Sequence, residues 1–215
     1  MAEEELRAQI FLVVEAGEGA RERLASALGA GVTSVLITPS AQGTFDAATL
    51  APLIQEAQAA GAAALVYNDA SLAHSLKADG VHIPQSPNDA LAEQYEAARK
   101  TLGSQAIIGV GVGASRHDAM TLGEAGADYI AFGLASDTHD YNAARIERQA
   151  LITWWAEIFE PPCVALDVET PTDAQDLAKA GADFIGVTLP GGISPAQAAE
   201  RVTVICTAIS AMATA

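Results

Sequence analysis

A regular alternation constrains this chain more than any other feature. Short runs of aliphatic and β-branched residues recur along its length, and Ala-rich stretches separate them. The apolar runs read as buried strands, because a strand covered on both faces needs no polar alternation. The Ala-rich stretches read as helices with one apolar face. Strands are predicted over 10–14, 32–37, 63–67, 80–83, 106–110, 129–132, 163–166 and 184–187. Helices are predicted from the glycine turn at 17–19 to Ala30, over 46–60, after Asp69, over 87–102, from Ser115, over 142–159, over 171–180, and from Ser194 to the end. Connections this short force parallel neighbours and right-handed crossovers. Eight strand–helix units in 215 residues predict one (β/α)8 TIM barrel domain over 1–215. An open doubly wound sheet is the competing α/β architecture, reached if the count of eight is off by one.

An internal echo supports repeated units. Lys77-Ala78-Asp79-Gly80-Val81, Gly126-Ala127-Asp128-Tyr129-Ile130 and Gly181-Ala182-Asp183-Phe184-Ile185 share one form, in which a helix ends, a small residue turns and Asp precedes a strand. These Asp residues are expected at the bottom of the barrel, capping turns. Asp46 is expected to cap the second helix. Cys163 and Cys206 sit in apolar runs and read as small core residues without a disulfide, which fits a reducing cytoplasm. The acidic start MAEEELRAQ is no secretory signal, and no apolar run reaches the ~18–20 residues of a membrane helix. A formal charge of −16 argues against nucleic acid and anionic membrane as partners. A homo-oligomer is left open.

In a barrel the functional mouth is built from loops at the C-terminal ends of the strands. In chain order those loops offer Glu15, Thr38, Ser40, Asn68, Asp69, Gln85, Arg116, His117, Ser136, Asp137, His139, Asp167, Glu169, Thr188, Gly191 and Gly192. Asp69 is either a helix cap or a magnesium carboxylate, with Asn68 orienting a ligand. His82 lies inside a strand and reads first as a packed, hydrogen-bonded residue, with ligand binding as the alternative. Gln85 is a candidate for the mouth, its side left undecided by alternation. The glycines at 109–113, Gly111 and Gly113 among them, offer a phosphate cradle at the start of the fifth helix. Arg116 beside them either pairs with that phosphate or is solvated. Gly191-Gly192 is a second phosphate candidate, or a turn required by Pro190. Trp154 and Trp155 read as core and interface. No Cys/His metal cluster and no Gly-x-Ser-x-Gly elbow occurs.

At Asn68-Asp69, at Gly80-Val81-His82-Ile83-x-Gln85 and at Gly126-Ala127-Asp128-Tyr129-Ile130 the chain resembles thiamine phosphate synthase and its thiazole tautomerase relatives. The resemblance spans nearly the whole chain. It implies a (β/α)8 barrel that joins hydroxymethylpyrimidine diphosphate to a thiazole phosphate, with Mg2+ on the diphosphate. Departure of diphosphate would leave a pyrimidine carbocation for the thiazole nitrogen to capture. By the same resemblance Asn68 and Asp69 bind the diphosphate and Mg2+, and Gln85 lines that pocket.

Several family positions differ here. The Gln-Leu-Arg-x-Lys run after strand two is Leu36, Ile37, Thr38, Pro39 and Ser40. The second magnesium Asp falls near Pro87, with Asn88 and Asp89 as substitutes. The Ser after strand five becomes Gly111 or Gly113, the Thr-x-Thr-Lys loop is Ser136-Asp137-Thr138-His139, and the Gly-Gly after strand seven is Asp167-Val168. The three lysines, Lys77, Lys100 and Lys179, fall on helices or their ends, and of eight arginines only Arg116 is expected at the mouth. Two phosphorylated substrates bring roughly four negative charges that such chemistry offsets with Arg, Lys and Mg2+. The expected function is therefore a thiamine phosphate synthase-like transferase with diminished turnover. One alternative is a non-catalytic or repurposed barrel for a small phosphorylated or heterocyclic ligand. Another is an isomerase moving protons through His82, His117 or Asp167.

Overall fold

The structure is a computed structural model that describes residues 8–29, 31–41, 44–85, 90–134 and 140–214. Its strands are β1 (Gln9–Glu15), β2 (Val32–Thr38), β3 (Ala63–Tyr67), β4 (Gly80–Ile83), β5 (Ile107–Gly111), β6 (Tyr129–Phe132), β7 (Cys163–Ala165) and β8 (Phe184–Leu189). Each is followed by a helix: α1 (Ala20–Ala27), α2 (Ala47–Ala59), α3 (Ala70–Leu76), α4 (Leu91–Leu102), α5 (Arg116–Glu124), α6 (Tyr141–Ile158), α7 (Pro171–Lys179) and α8 (Pro195–Ser210). The strands are parallel and close in sequence order, β1 pairing β2 on one side and β8 on the other. The expected (β/α)8 barrel is the fold, and the open sheet is excluded by the β1–β8 ladder. No described helix is long and apolar enough to cross a membrane.

Two apolar layers follow from strand alternation. One set of side chains packs outward under the helices, with Leu12, Val35, Ile108 and Ile185 among its fully buried members. The other fills the barrel: Phe11, Leu36, Leu65, Tyr129, Ala131 and Val164, with Val13, Tyr67, Leu166 and Phe184 against them. Trp155 belongs to the outer layer, 1 % exposed, stacked on Phe159 at 4.2 Å and donating its indole N–H to the Pro161 carbonyl. Cys163 is buried, Cys206 is half-buried, and both are free thiols.

The Asp echo has a structural cause. The N–H of Asp79 donates to Ala64 O at 2.9 Å, and Ala64 N–H donates back to Asp79 Oδ2 at 2.7 Å. Asp128 does the same with Ile108, at 3.0 and 2.8 Å, and Asp183 with Cys163, at 3.1 and 2.7 Å. Each Asp thus bonds in both directions to the first or second residue of the preceding strand, where a buried N–H would otherwise lack a partner. Helix starts are fixed likewise. Asp46 accepts from Thr49 N–H, Ser115 from Asp118 N–H, and Ser194 forms a capping box with Gln197.

Of the boundaries that differ from expectation, two bear on the mouth. The turn expected at 109–113 is strand as far as Gly111, because β6 supplies a ladder partner for Gly109 and Gly111. Helix α4 begins at Leu91. Pro87, Asn88, Asp89, Ser136, Asp137 and His139 lie outside the described residues.

Candidate functional site

Alternation along β1 turns Phe11 and Val13 into the barrel and carries Glu15 to its mouth. On β4 the inward residue is His82, 2 % exposed. Its ring stacks on Tyr129 at 5.8 Å with the planes 14° apart, and Tyr67 stands on its other side at 6.2 Å. His82 Nδ1 is 2.9 Å from the Tyr129 hydroxyl. Burial pushes the His82 imidazole down to about 4 and the Tyr129 hydroxyl well above its usual range, so both are neutral near pH 7. The Tyr129 hydroxyl can donate to or accept from Nδ1, so the bond holds the ring in place in either neutral tautomer. His82 is thus the packed, hydrogen-bonded residue expected. Its Nε2 has no hydrogen-bond partner among the described residues and faces Gly111, where an added Cβ would lie 3.2 Å away.

The three glycines on the β5 side make room for side chains. A Cβ on Gly109 would sit 1.8 Å from Tyr129 Cζ. At Gly111 it would press on His82 and on the Gln85 backbone nitrogen at 3.3 Å. Gly113, with φ +55°, takes the Gln85 amide against its backbone; a Cβ would meet Gln85 Oε1 at 2.2 Å. These glycines therefore form the wall on which one imidazole and one carboxamide lie, and Gln85 reaches across β5.

Beside His82, at the end of the neighbouring strand β3, Asn68 turns the chain with φ 51° and donates its N–H to His82 O at 2.8 Å. Asp69 caps α3, Oδ1 accepting from Leu72 N–H at 2.8 Å. Its second carboxylate oxygen has no hydrogen bond among the described residues. None of the described His, Cys, Asp and Glu residues form a group of three or more placed to hold a metal.

Arg116 is not turned into the mouth. Its guanidinium stands 4.6 Å over the Trp154 ring, past the midpoint of α6, a cation–π contact on the barrel's flank. Two other arginines reach the strand ends instead. Arg23 of α1 is 3 % exposed and donates to Glu15 O at 3.0 Å and Glu18 O at 2.8 Å. Arg148 of α6, 1 % exposed, donates to the carbonyls of Leu166 and Asp167 and pairs with Asp173 at 2.8 Å. The sequence reading expected only Arg116 of the eight arginines at the mouth. One signal was available for Arg23: a cation in the first turn of a helix opposes the dipole unless it reaches back over the preceding loop.

Two carboxylates cover mouth amides. Glu15 Oε2 accepts from Gly191 N–H at 2.6 Å, and Asp167 Oδ2 accepts from Leu134 N–H at 2.8 Å. Gly191 and Gly192, the latter at φ 86°, line a cleft of ≈ 490 Å³ with Glu15, Gly17, Arg23 and Ser40. The mouth therefore has a neutral half, His82 and Gln85 on the β5 wall, and a charged half between the ends of β1, β2 and β8.

Residues 10–190 match the family described as thiamine monophosphate synthase. The thiamine-phosphate synthase of Erythrobacter litoralis is 42% identical over 196 residues, covering 87% of this chain and 90% of that protein. That of Rhodospirillum centenum is 40% identical over 145 residues, covering 67% and 65%. Among solved structures, a thiamine phosphate pyrophosphorylase from Pyrococcus furiosus superposes with TM-score 0.72 at 23% identity, over 95% of this chain and 99% of that one. A native KDPGal structure superposes with TM-score 0.73 at 15% identity, over 96% of each, which speaks for the shared fold alone. With the family match running through all but the last helix, the chain belongs to the thiamine monophosphate synthase family.

Proposed function

We propose that this chain is a thiamine phosphate synthase-like transferase of low turnover, coupling hydroxymethylpyrimidine diphosphate to thiazole phosphate. One observation carries the reading: His82 Nε2 and the Gln85 amide converge on the glycine wall of β5, with the Asn68 turn hydrogen-bonded to the His82 carbonyl. A neutral imidazole and a carboxamide suit the ring nitrogens and amino group of a heterocycle. Asp69 suits the diphosphate side. Mg2+ commonly takes one or two carboxylates together with phosphate oxygens and water, and Asp69 has one oxygen to give. The metal would neutralise charge building on the departing diphosphate. Asn68 would orient that group, and Gln85 and His82 would hold the ring while the bond to diphosphate breaks.

A second reading, a repurposed barrel for a less anionic heterocycle, is favoured by the carboxylates of Glu15 and Asp167 on mouth amides. Turnover of the two phosphorylated substrates, measured beside a family member with the full Gln-Leu-Arg-x-Lys motif, separates the two. Thiamine phosphate formed slowly and only with Mg2+ supports the transferase. No product, together with calorimetric binding of the unphosphorylated heterocycles, supports the second.

A further inference from the structure

Two tyrosines flank His82 inside the barrel, and they are not equivalent. The ladders set Tyr67, His82, Gly109 and Tyr129 side by side in one row across β3, β4, β5 and β6. Tyr129 is buried, with its hydroxyl on His82 Nδ1 at 2.9 Å. Tyr67 is the last residue of β3, packs against the inner apolar cluster and lies 6.2 Å from the His82 ring at 33°. It is half-buried, and because helices cover the barrel's flank its open part faces the mouth. Its hydroxyl has no hydrogen bond among the described residues, and burial raises it above its usual range, so it stays protonated near pH 7. For packing alone an aliphatic residue would serve better here, since a hydroxyl without a partner is unfavourable in an apolar interior. On the side away from His82, the β2–β3 register brings Thr38 level with Tyr67, a short side chain whose hydroxyl goes to Val14 O at 3.4 Å. Among the described residues no second aromatic ring lies on Tyr67.

We propose that Tyr67 is a specificity-determining residue whose ring is the surface on which the pyrimidine of the first substrate stacks, with the pyrimidine's edge towards His82 Nε2 and the Gln85 amide. An aromatic face binds a flat heterocycle by stacking and offers a phosphate group no counter-charge. Tyr67 therefore selects the heterocyclic part of the ligand whatever the charge attached to it. It does so beside a strand, β2, that runs out through Leu36, Thr38 and Ser40 and presents no long polar side chain there. The inference deepens the transferase reading by naming the residue that holds the ring, and it rests on that reading for the choice of a pyrimidine.

The test reads binding of the unphosphorylated hydroxymethylpyrimidine to the full chain, by calorimetry and NMR, and needs no turnover. In the parent, NOEs from the Tyr67 ring protons to the bound pyrimidine are expected, a readout that depends on no variant folding. Tyr67→Phe keeps the ring and should bind within about 2-fold of the parent. Tyr67→Leu keeps apolar bulk without the ring and should weaken pyrimidine binding by about 5-fold or more, with affinity for diphosphate and Mg2+ unchanged. Equal pyrimidine affinity in the parent and Tyr67→Leu would overturn the proposal. So would equal losses in Tyr67→Phe and Tyr67→Leu, which would put the contact on the hydroxyl, a parallel loss of diphosphate affinity, or a parent that binds no pyrimidine. A parent that makes thiamine phosphate while its pyrimidine binding ignores residue 67 refutes this proposal alone. One that binds pyrimidine on Tyr67 and makes no product refutes the transferase reading alone.

Discussion

His82 and Tyr129 stack with their rings 5.8 Å apart and share a hydrogen bond of 2.9 Å, forming a neutral pair inside the barrel. Gly109 makes the stack possible by leaving its Cβ space to the Tyr129 ring. The pair sets the shape of the neutral half of the mouth.

The first prediction is a pH dependence of stability. Burial lowers His82 from 6.5 to about 4 in the folded chain. Between those values the unfolded chain takes up a proton that the folded chain refuses. The stabilisation is therefore complete above pH 6.5 and is lost as pH falls towards 4. The loss should reach roughly 2 kcal/mol between pH 7.5 and 5. Urea unfolding of the parent and of His82→Gln at both pH values measures it, and the variant should lose markedly less stability on acidification. Equal losses in the two would refute the assignment.

The glycine wall makes a second prediction. Gly109→Ala puts a methyl group inside the Tyr129 ring and should cost about 1–3 kcal/mol or more by overpacking. Gly29→Ala, with nothing within 4 Å of the new methyl, should stay within about 0.5 kcal/mol of the parent. Denaturant midpoints of the two variants decide it, and similar midpoints would contradict the clearance role of Gly109.

At the opposite end of the barrel, Asp183→Ala removes the acceptor of the buried Cys163 N–H. The expected cost is about 1–3 kcal/mol, the penalty for an unsatisfied buried donor. Phosphate titration at the mouth should be unaffected. A stable variant, or one with altered phosphate binding, would show that the Asp echo does something other than hold strand ends.

Asp69 carries the last prediction, because cap and metal ligand can be separated there. Asp69→Asn keeps an acceptor for Leu72 N–H and should retain stability to within a few tenths of a kcal/mol. Asp69→Ala should lose about 1 kcal/mol. Asn ligates Mg2+ poorly, so thiamine phosphate formation by Asp69→Asn should fall and lose its dependence on added magnesium. An unchanged rate and magnesium response would remove Asp69 from the metal site.

Much of the fold was legible in the sequence, for physical reasons that act locally. Continuous apolar runs mark strands buried on both faces, and Ala-rich stretches mark the helices over them. Short connections admit only parallel neighbours, so the count of units fixed a barrel. Caps at Asp46, Asp69 and Ser194 act within three residues and could be placed from spacing. The repeated Asp before β4, β6 and β8 also appeared as a pattern, although its two-way bond to the preceding strand did not. What meets at the mouth was decided by closure. Glu15 finds Gly191 across 176 residues because β1 pairs with β8, and His82 finds Tyr129 across 47 because β5 between them is glycine at the level of both rings. Periodicity assigns a residue to a face, but a long side chain at the end of an element can turn either way. Arg116 was expected in the mouth and lies on Trp154; Arg23 and Arg148 were not expected there and reach back to the strand ends. Those directions depend on which aromatic ring or unpaired carbonyl comes within reach, and only the packed barrel supplies that neighbour.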